Sequence, residues 1–177
     1  ETDRLTSIVT NLLDLSRLEA GVLSPRLRPV SLEEVIPGAL HALGDRAATV
    51  HLELPADIEE VEVDPALLER AVANLVENAV KWSPPGRSVT VRAHCTGPDA
   101  QIHIIDHGPG IPADQRDVVV QPFHRLGDGT NAGGLGLGLA IADRVIAAMG
   151  GRLELRDTPG GGLTAVISLP SRVWSAR

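Results

Sequence analysis

Three constellations in the chain combine residue types suited to holding a charged, oxygen-rich ligand. In NLVENAVKW, Asn74, Asn78 and Lys81 fall at i, i+4 and i+7, so one helical face carries two amides and an ammonium in an otherwise apolar run. An amide oxygen is the hard donor that Mg²⁺ takes, and an ammonium attracts phosphate as a point charge. The same face also reads as a plain solvated stripe.

The second constellation is DHGPGIP from Asp106, directly after the apolar strand IHII. A carboxylate at a strand end can accept from an exocyclic amine such as that of adenine. Gly108 and Gly110 let backbone approach a ring closely. An ordinary glycine turn has the same letters. The third is GGLGLGLAIA from Gly133, where glycines at alternate positions open a helix. Free N–H groups and the positive helix end suit phosphate there, although a flexible hinge would look alike. The run lacks GK[ST], and it does not follow a first strand with an acidic residue about 20 positions on.

The elements that must position these residues alternate between two periodicities. Residues 2–20 predict a helix whose Leu5, Ile8, Leu12 and Leu15 form a heptad seam. That seam belongs either to a helix packed on its own domain or to one member of an intermolecular bundle. Residues 22–30 are a linker or short strand. Ser31 and Glu34 form a capping box for a helix to about residue 46. Strands follow near 49–54 and 60–63. Asp64-Pro65 caps a helix over 65–82. Further strands are expected near 88–95 and 100–105, then a long loop over 107–134 containing a short helix. A helix over 135–149 and strands near 152–157 and 163–169, joined by the turn TPGGG, complete the chain. This order gives an α+β fold, a two-layer sandwich whose mixed sheet is covered on one face by helices, preceded by the N-terminal helix.

Composition bounds the function. The 177 residues allow one ordinary domain plus an appendage, and 43% hydrophobic content supplies a core. A net charge of −7 without a basic run argues against nucleic acid as partner. No apolar run reaches a membrane-spanning length. The single Cys95 cannot form an intrachain disulfide.

In this order and spacing the motifs resemble the histidine kinase branch of the ATPase superfamily that includes gyrase, Hsp90 and MutL. NLVENAVKWS resembles its N box, DHGPGIP its G1 box, QPFHRL its F box and GGLGLGLAI its G2 box. NLLDLSRLEAG resembles the second helix of the dimerisation and phosphotransfer domain. The resemblance covers residues 1–170 and places a boundary near residue 24, with the ATP-binding catalytic domain over 25–177. SLEEVIPGAL and VIAAMGG resemble the KdpD-type potassium-sensor subfamily.

The resemblance implies a Bergerat-type ATP-binding fold with ATP and Mg²⁺ as ligands. Asn78 would ligate Mg²⁺, supported by Asn74, and Lys81 would contact phosphates. Trp82, where the family usually has Tyr, would pack on adenine. Asp106 would bind the adenine amine in a pocket shaped by Gly108 and Gly110. Phe123 and Arg125 would belong to the lid, with Arg125 on phosphate. Gly134, Gly136, Leu137 and Gly138 would line the phosphates. His107 stands where Asn or Thr is usual. The implied partners are the chain's own dimerisation helix, a response regulator and a second copy. The implied location is the cytoplasmic part of a membrane-anchored sensor, reaching the membrane only through segments outside this chain.

The family's phosphoacceptor histidine is followed by an acidic residue. His41, His51, His94, His103, His107 and His124 are followed by Ala, Leu, Cys, Ile, Gly and Arg, so none fits. The acceptor is therefore expected upstream of this chain. Two other functions stay open: an ATP-hydrolysing conformational switch, and a non-catalytic nucleotide-binding module. An anti-sigma-factor serine kinase is a further relative, disfavoured by the heptad helix.

Overall fold

A computed structural model describes residues 16, 24–55, 58, 60–96, 98–124 and 136–171. Apart from Ser16, which is helical, the heptad helix expected over 2–20 lies outside the described residues, which begin again at residue 24, where the boundary is expected. Arg125 and Gly134 lie outside them too.

The first strand, β1 (Arg28–Val30), pairs antiparallel with β3 (Val61–Val63) in a small two-stranded sheet. Between them lie helix α1 (Leu32–Leu43) and strand β2 (Val50–Glu53). In α1 the apolar residues Leu32, Val35, Ile36, Ala39 and Leu43 recur at helical spacing, and all are buried. Ser31 caps α1, but its hydroxyl accepts from Glu33 N at 3.2 Å rather than from Glu34 as a capping box would have it. The helix stops at Leu43, short of the expected residue 46, because Gly44 takes a φ of 55° and a 3-10 turn follows.

Helix α2 (Pro65–Trp82) carries the first constellation. Asp64 caps it: one carboxylate oxygen accepts from Leu67 N at 3.3 Å and the other from Arg26 N at 2.9 Å. Proline at the first helical position loses no bond, since its N–H would lack a helical partner anyway. Leu68, Ala71, Val72, Leu75, Val76 and Ala79 are buried.

The main sheet has the strand order β2, β4 (Val89–Thr96), β5 (Asp99–Ile105), β7 (Leu163–Pro170), β6 (Arg152–Asp157). Only β2 and β4 run parallel; the other neighbours are antiparallel. On one face Val89, Val91, Ala93, Ile102, Ile104, Ala165 and Ile167 join the helices in one core. The opposite face is polar on β4 and β5, with Arg92, His94, Gln101 and His103. Thr164, Val166 and Ser168 of β7, an interior strand, are buried on that face as well. They are registered between the long side chains of β5 and β6, such as His103 and Glu154 beside Val166, which cover them.

Two helices remain: the short α3 (Arg116–Val119) and α4 (Gly138–Ala148), which packs against α2. The sequence predicts a start for α4 at residue 135. It begins at Gly138 because Gly136 has a φ of 70°, outside the helical region.

Candidate functional site

The carboxyl end of β5, the carboxyl end of α2 and the amino end of α4 meet at one place. Asp106 follows β5 directly and is 5% exposed. Its N–H donates to Leu163 O at 2.9 Å, which continues the β5–β7 pairing by one residue. Its Oδ1 accepts from Gly108 N at 2.8 Å and Leu163 N at 2.9 Å. A charged oxygen held by two backbone donors is strongly fixed. Among the described residues neither bond uses Oδ2, the atom left for an incoming donor.

The glycines around Asp106 are required by space. A methyl group on Gly108 would lie 2.7 Å from the Trp82 carbonyl oxygen, so the loop lies directly on the end of α2. Gly110 has a φ of 73°, and a methyl there would lie 3.1 Å from Gly162 O. Gly162 has a φ of 121°, and a side chain would collide with the Asp106 carbonyl and meet the Cα of His107 at 2.8 Å. The turn TPGGG was legible only as a turn. Its role as the wall behind Asp106 has no local signature, because the partners are 57 positions apart.

Trp82 ends α2 and is 46% exposed, unusual for so large an apolar side chain. The Lys81 ammonium lies 5.4 Å from its ring centroid, within cation–π range. The backbone end of Trp82 thus lies against the Asp106 loop, while its ring is half-exposed beside Lys81.

Asn78 faces the start of α4: a methyl on Gly138 would lie 3.2 Å from its Nδ2 and 3.7 Å from its Oδ1. The first and third constellations, distant in sequence, are therefore in contact. One turn earlier, Asn74 Nδ2 is buried with no hydrogen-bond partner, as is the hydroxyl of Ser83. Buried donors are nearly always paired, so the Asn74 amide fits a site completed by a ligand oxygen. Among the described residues no group of three or more His, Cys, Asp or Glu is placed to hold a metal. A divalent ion here would find amide oxygens as its protein donors, a set of the hard-donor kind that suits Mg²⁺.

Gly136 and Gly138 stand at the amino end of α4 as the sequence predicts. The Leu137 side chain is 3% exposed and belongs to the core, so only its backbone is available to a ligand. Phe123 is 60% exposed and is the one described non-glycine residue with positive φ, 65°. Such a conformation costs about 1–3 kcal/mol and persists where surrounding structure imposes it.

Residues 63–173 match the model of the histidine kinase-, DNA gyrase B- and HSP90-like ATPases. The chain is 49% identical to the sensor protein KdpD of Rathayibacter rathayi over 94% of its length, which is 19% of that protein. It is 37% identical to the histidine-protein kinase/phosphatase MprB of Mycobacterium avium over 97% of its length, 34% of that protein. It thus spans about a fifth to a third of these relatives. The solved mycobacterial sensor histidine kinase MprB superposes with a TM-score of 0.69 at 37% identity, over 82% of this chain and 98% of that one. Full-length ShkA in complex with AMPPNP superposes with a TM-score of 0.82 at 27% identity, over 98% of this chain and 37% of that one. The chain belongs to the histidine kinase-, DNA gyrase B- and HSP90-like ATPase family, as a catalytic domain of the sensor histidine kinase branch.

Proposed function

We propose that the chain binds Mg²⁺-ATP and transfers its γ-phosphoryl group to a histidine of a dimerisation helix within a two-component sensor kinase. The observation that carries the proposal is the buried Asp106 carboxylate, fixed through Oδ1 by two backbone N–H groups. Such an acceptor pairs with the amine of adenine. Guanine presents an oxygen there, and two acceptors would face each other.

Trp82 packs on the base, and Lys81 meets the phosphates together with Gly136, Gly138 and, from outside the described residues, Gly134 and Arg125. Asn78 would hold the metal, which would neutralise phosphate charge, with Asn74 supporting the same site through its Nδ2 donor. In the transfer, an imidazole nitrogen forms a bond to the γ-phosphorus. The bond to the β–γ bridging oxygen breaks, ADP leaves, and the imidazole proton passes to solvent. Catalysis of this kind is mostly positioning and charge neutralisation. Hydrolytic relatives carry a glutamate base where this chain has Asn74. An amide takes no proton from water, which disfavours the hydrolytic switch.

The full protein is read as a KdpD-type sensor, membrane-anchored through other segments, dimeric and paired with a response regulator. Two KdpD proteins at 49% and 43% identity stand above MprB at 37% and support that reading, while a third KdpD stands below it at 33%. Among the described residues no helix is long and apolar enough to cross a membrane. The test is incubation with γ-labelled ATP, with and without a separately made dimerisation segment carrying the acceptor histidine. Acid-labile label on the segment and none on the chain is expected. Label on any of the chain's own six histidines, or fast ADP release by the chain alone, would contradict the proposal.

A further inference from the structure

The loop that bears Asp106 is gripped at both ends by the β6–β7 hairpin, and the second grip runs through one side chain. Arg116, in the first turn of α3, donates from Nε to Ile111 O at 3.0 Å and from Nη1 to Leu155 O at 3.3 Å. Its Nη2 donates to Asp157 Oδ1 at 2.5 Å. The Arg116 side chain is 19% exposed, while that of Asp157 is 78% exposed. Three donors of one guanidinium thus tie the exit of the loop to two residues of edge strand β6. The entrance of the same loop is tied to β7 independently, through Asp106 and Leu163.

We propose that Arg116 is a positioning residue of the nucleotide site, holding Ile111 and the segment that leads to Phe123 in place against β6. The part that concerns nucleotide rests on the function proposed above; the clasp itself does not. The planar fork is what allows it. A lysine ammonium is a single point on a flexible stem and cannot reach three separated acceptors at once. Loss of the fork therefore frees the loop exit, while Asp106 keeps both of its backbone donors.

Amide exchange across residues 113–121 of the nucleotide-free chain, with calorimetry of Mg²⁺-ATP and Mg²⁺-GTP, tests this in Arg116→Ala and Arg116→Lys. Lysine keeps the charge and stem should alanine fail to fold. Exchange in that segment is expected to rise roughly 10- to 100-fold, as for loss of a charged hydrogen-bonded group. ATP affinity is expected to fall while the ATP-to-GTP preference is retained. Unchanged exchange in both variants would overturn the clasp. Exchange that rises without loss of ATP affinity, or loss of base preference along with affinity, would overturn the positioning role. If the unaltered chain binds neither nucleotide, the functional reading fails, and the exchange arm still decides the clasp.

Discussion

A methyl group on Gly138 would sit 3.2 Å from Nδ2 of Asn78, so the first residue of α4 is a glycine against which an α2 amide rests. That contact sets where the amide lies relative to the glycines at the start of α4. Gly138→Ala moves the amide by a few tenths of an ångström and raises helix propensity. Stability should change little, because alanine's gain in propensity, smaller at a first helical position than the ~1 kcal/mol of a helix interior, offsets the crowding. Mg²⁺-ATP affinity should fall roughly 3- to 10-fold, on the order of 1 kcal/mol. Thermal melting and calorimetry on one preparation read both, and unchanged affinity would reject the contact as functional.

Gly162→Ala should behave oppositely. Its Cβ meets rigid backbone at Asp106 and His107, at a φ of 121°. A loss of about 1–3 kcal/mol in urea unfolding is expected, the size of one forced backbone conformation. A variant as stable as the parent would mean that the turn and the Asp106 loop separate easily.

Asn78→Ala removes the amide oxygen assigned to Mg²⁺ and leaves the adenine end intact. Phosphotransfer to a supplied acceptor should become undetectable, while ADP binding without metal falls by less than about tenfold. Unchanged transfer would remove Asn78 from the site.

The open sheet face makes stability depend on pH. Burial lowers the pKa of His103 below 6.5, aided by His94, Arg156 and Arg92 and opposed by Glu154. Its ring lies beside that of His94, centroids 4.7 Å apart and planes tilted by 48°, and its Nε2 bonds Gln101 Oε1 at 3.1 Å. The unfolded chain binds the proton more readily, so this stabilisation is present above pH 6.5 and is lost as pH falls toward the lowered value. The Arg156 hydrogen bond lowers the pKa of Glu154, which acts in the same direction below 4.5. The melting temperature should drop between about pH 7.5 and 5.5, and His103→Gln should flatten that slope. Identical slopes in both proteins would rule out His103 as the source.

The elements carrying the chemistry were readable because each has a period of its own. The apolar face of α2, the alternation of β5 and the paired glycines before α4 predict their neighbours without tertiary knowledge. Asp106 was legible as a carboxylate at a strand end. What holds it was not, since Leu163 lies 57 positions away and contributes only its backbone. Arg116 has no sequence signature, because its acceptors include the carbonyls of Ile111 and Leu155, which any residues would supply. The helix expected from residue 135 starts three residues later, because Gly136 adopts a left-handed φ of 70° that a glycine-rich run permits and its letters do not announce.

The central claim is that Asp106 selects adenine. Titration calorimetry of the chain with ATP and with GTP, each with Mg²⁺, tests it directly, and Asp106→Asn serves as the matched control. An amide oxygen still accepts from Gly108 N and Leu163 N, so the control should fold. The account predicts ATP binding at least roughly tenfold tighter than GTP, about 1.4 kcal/mol or more, and a preference that collapses in Asp106→Asn. Equal affinity of the unaltered chain for the two nucleotides would contradict it.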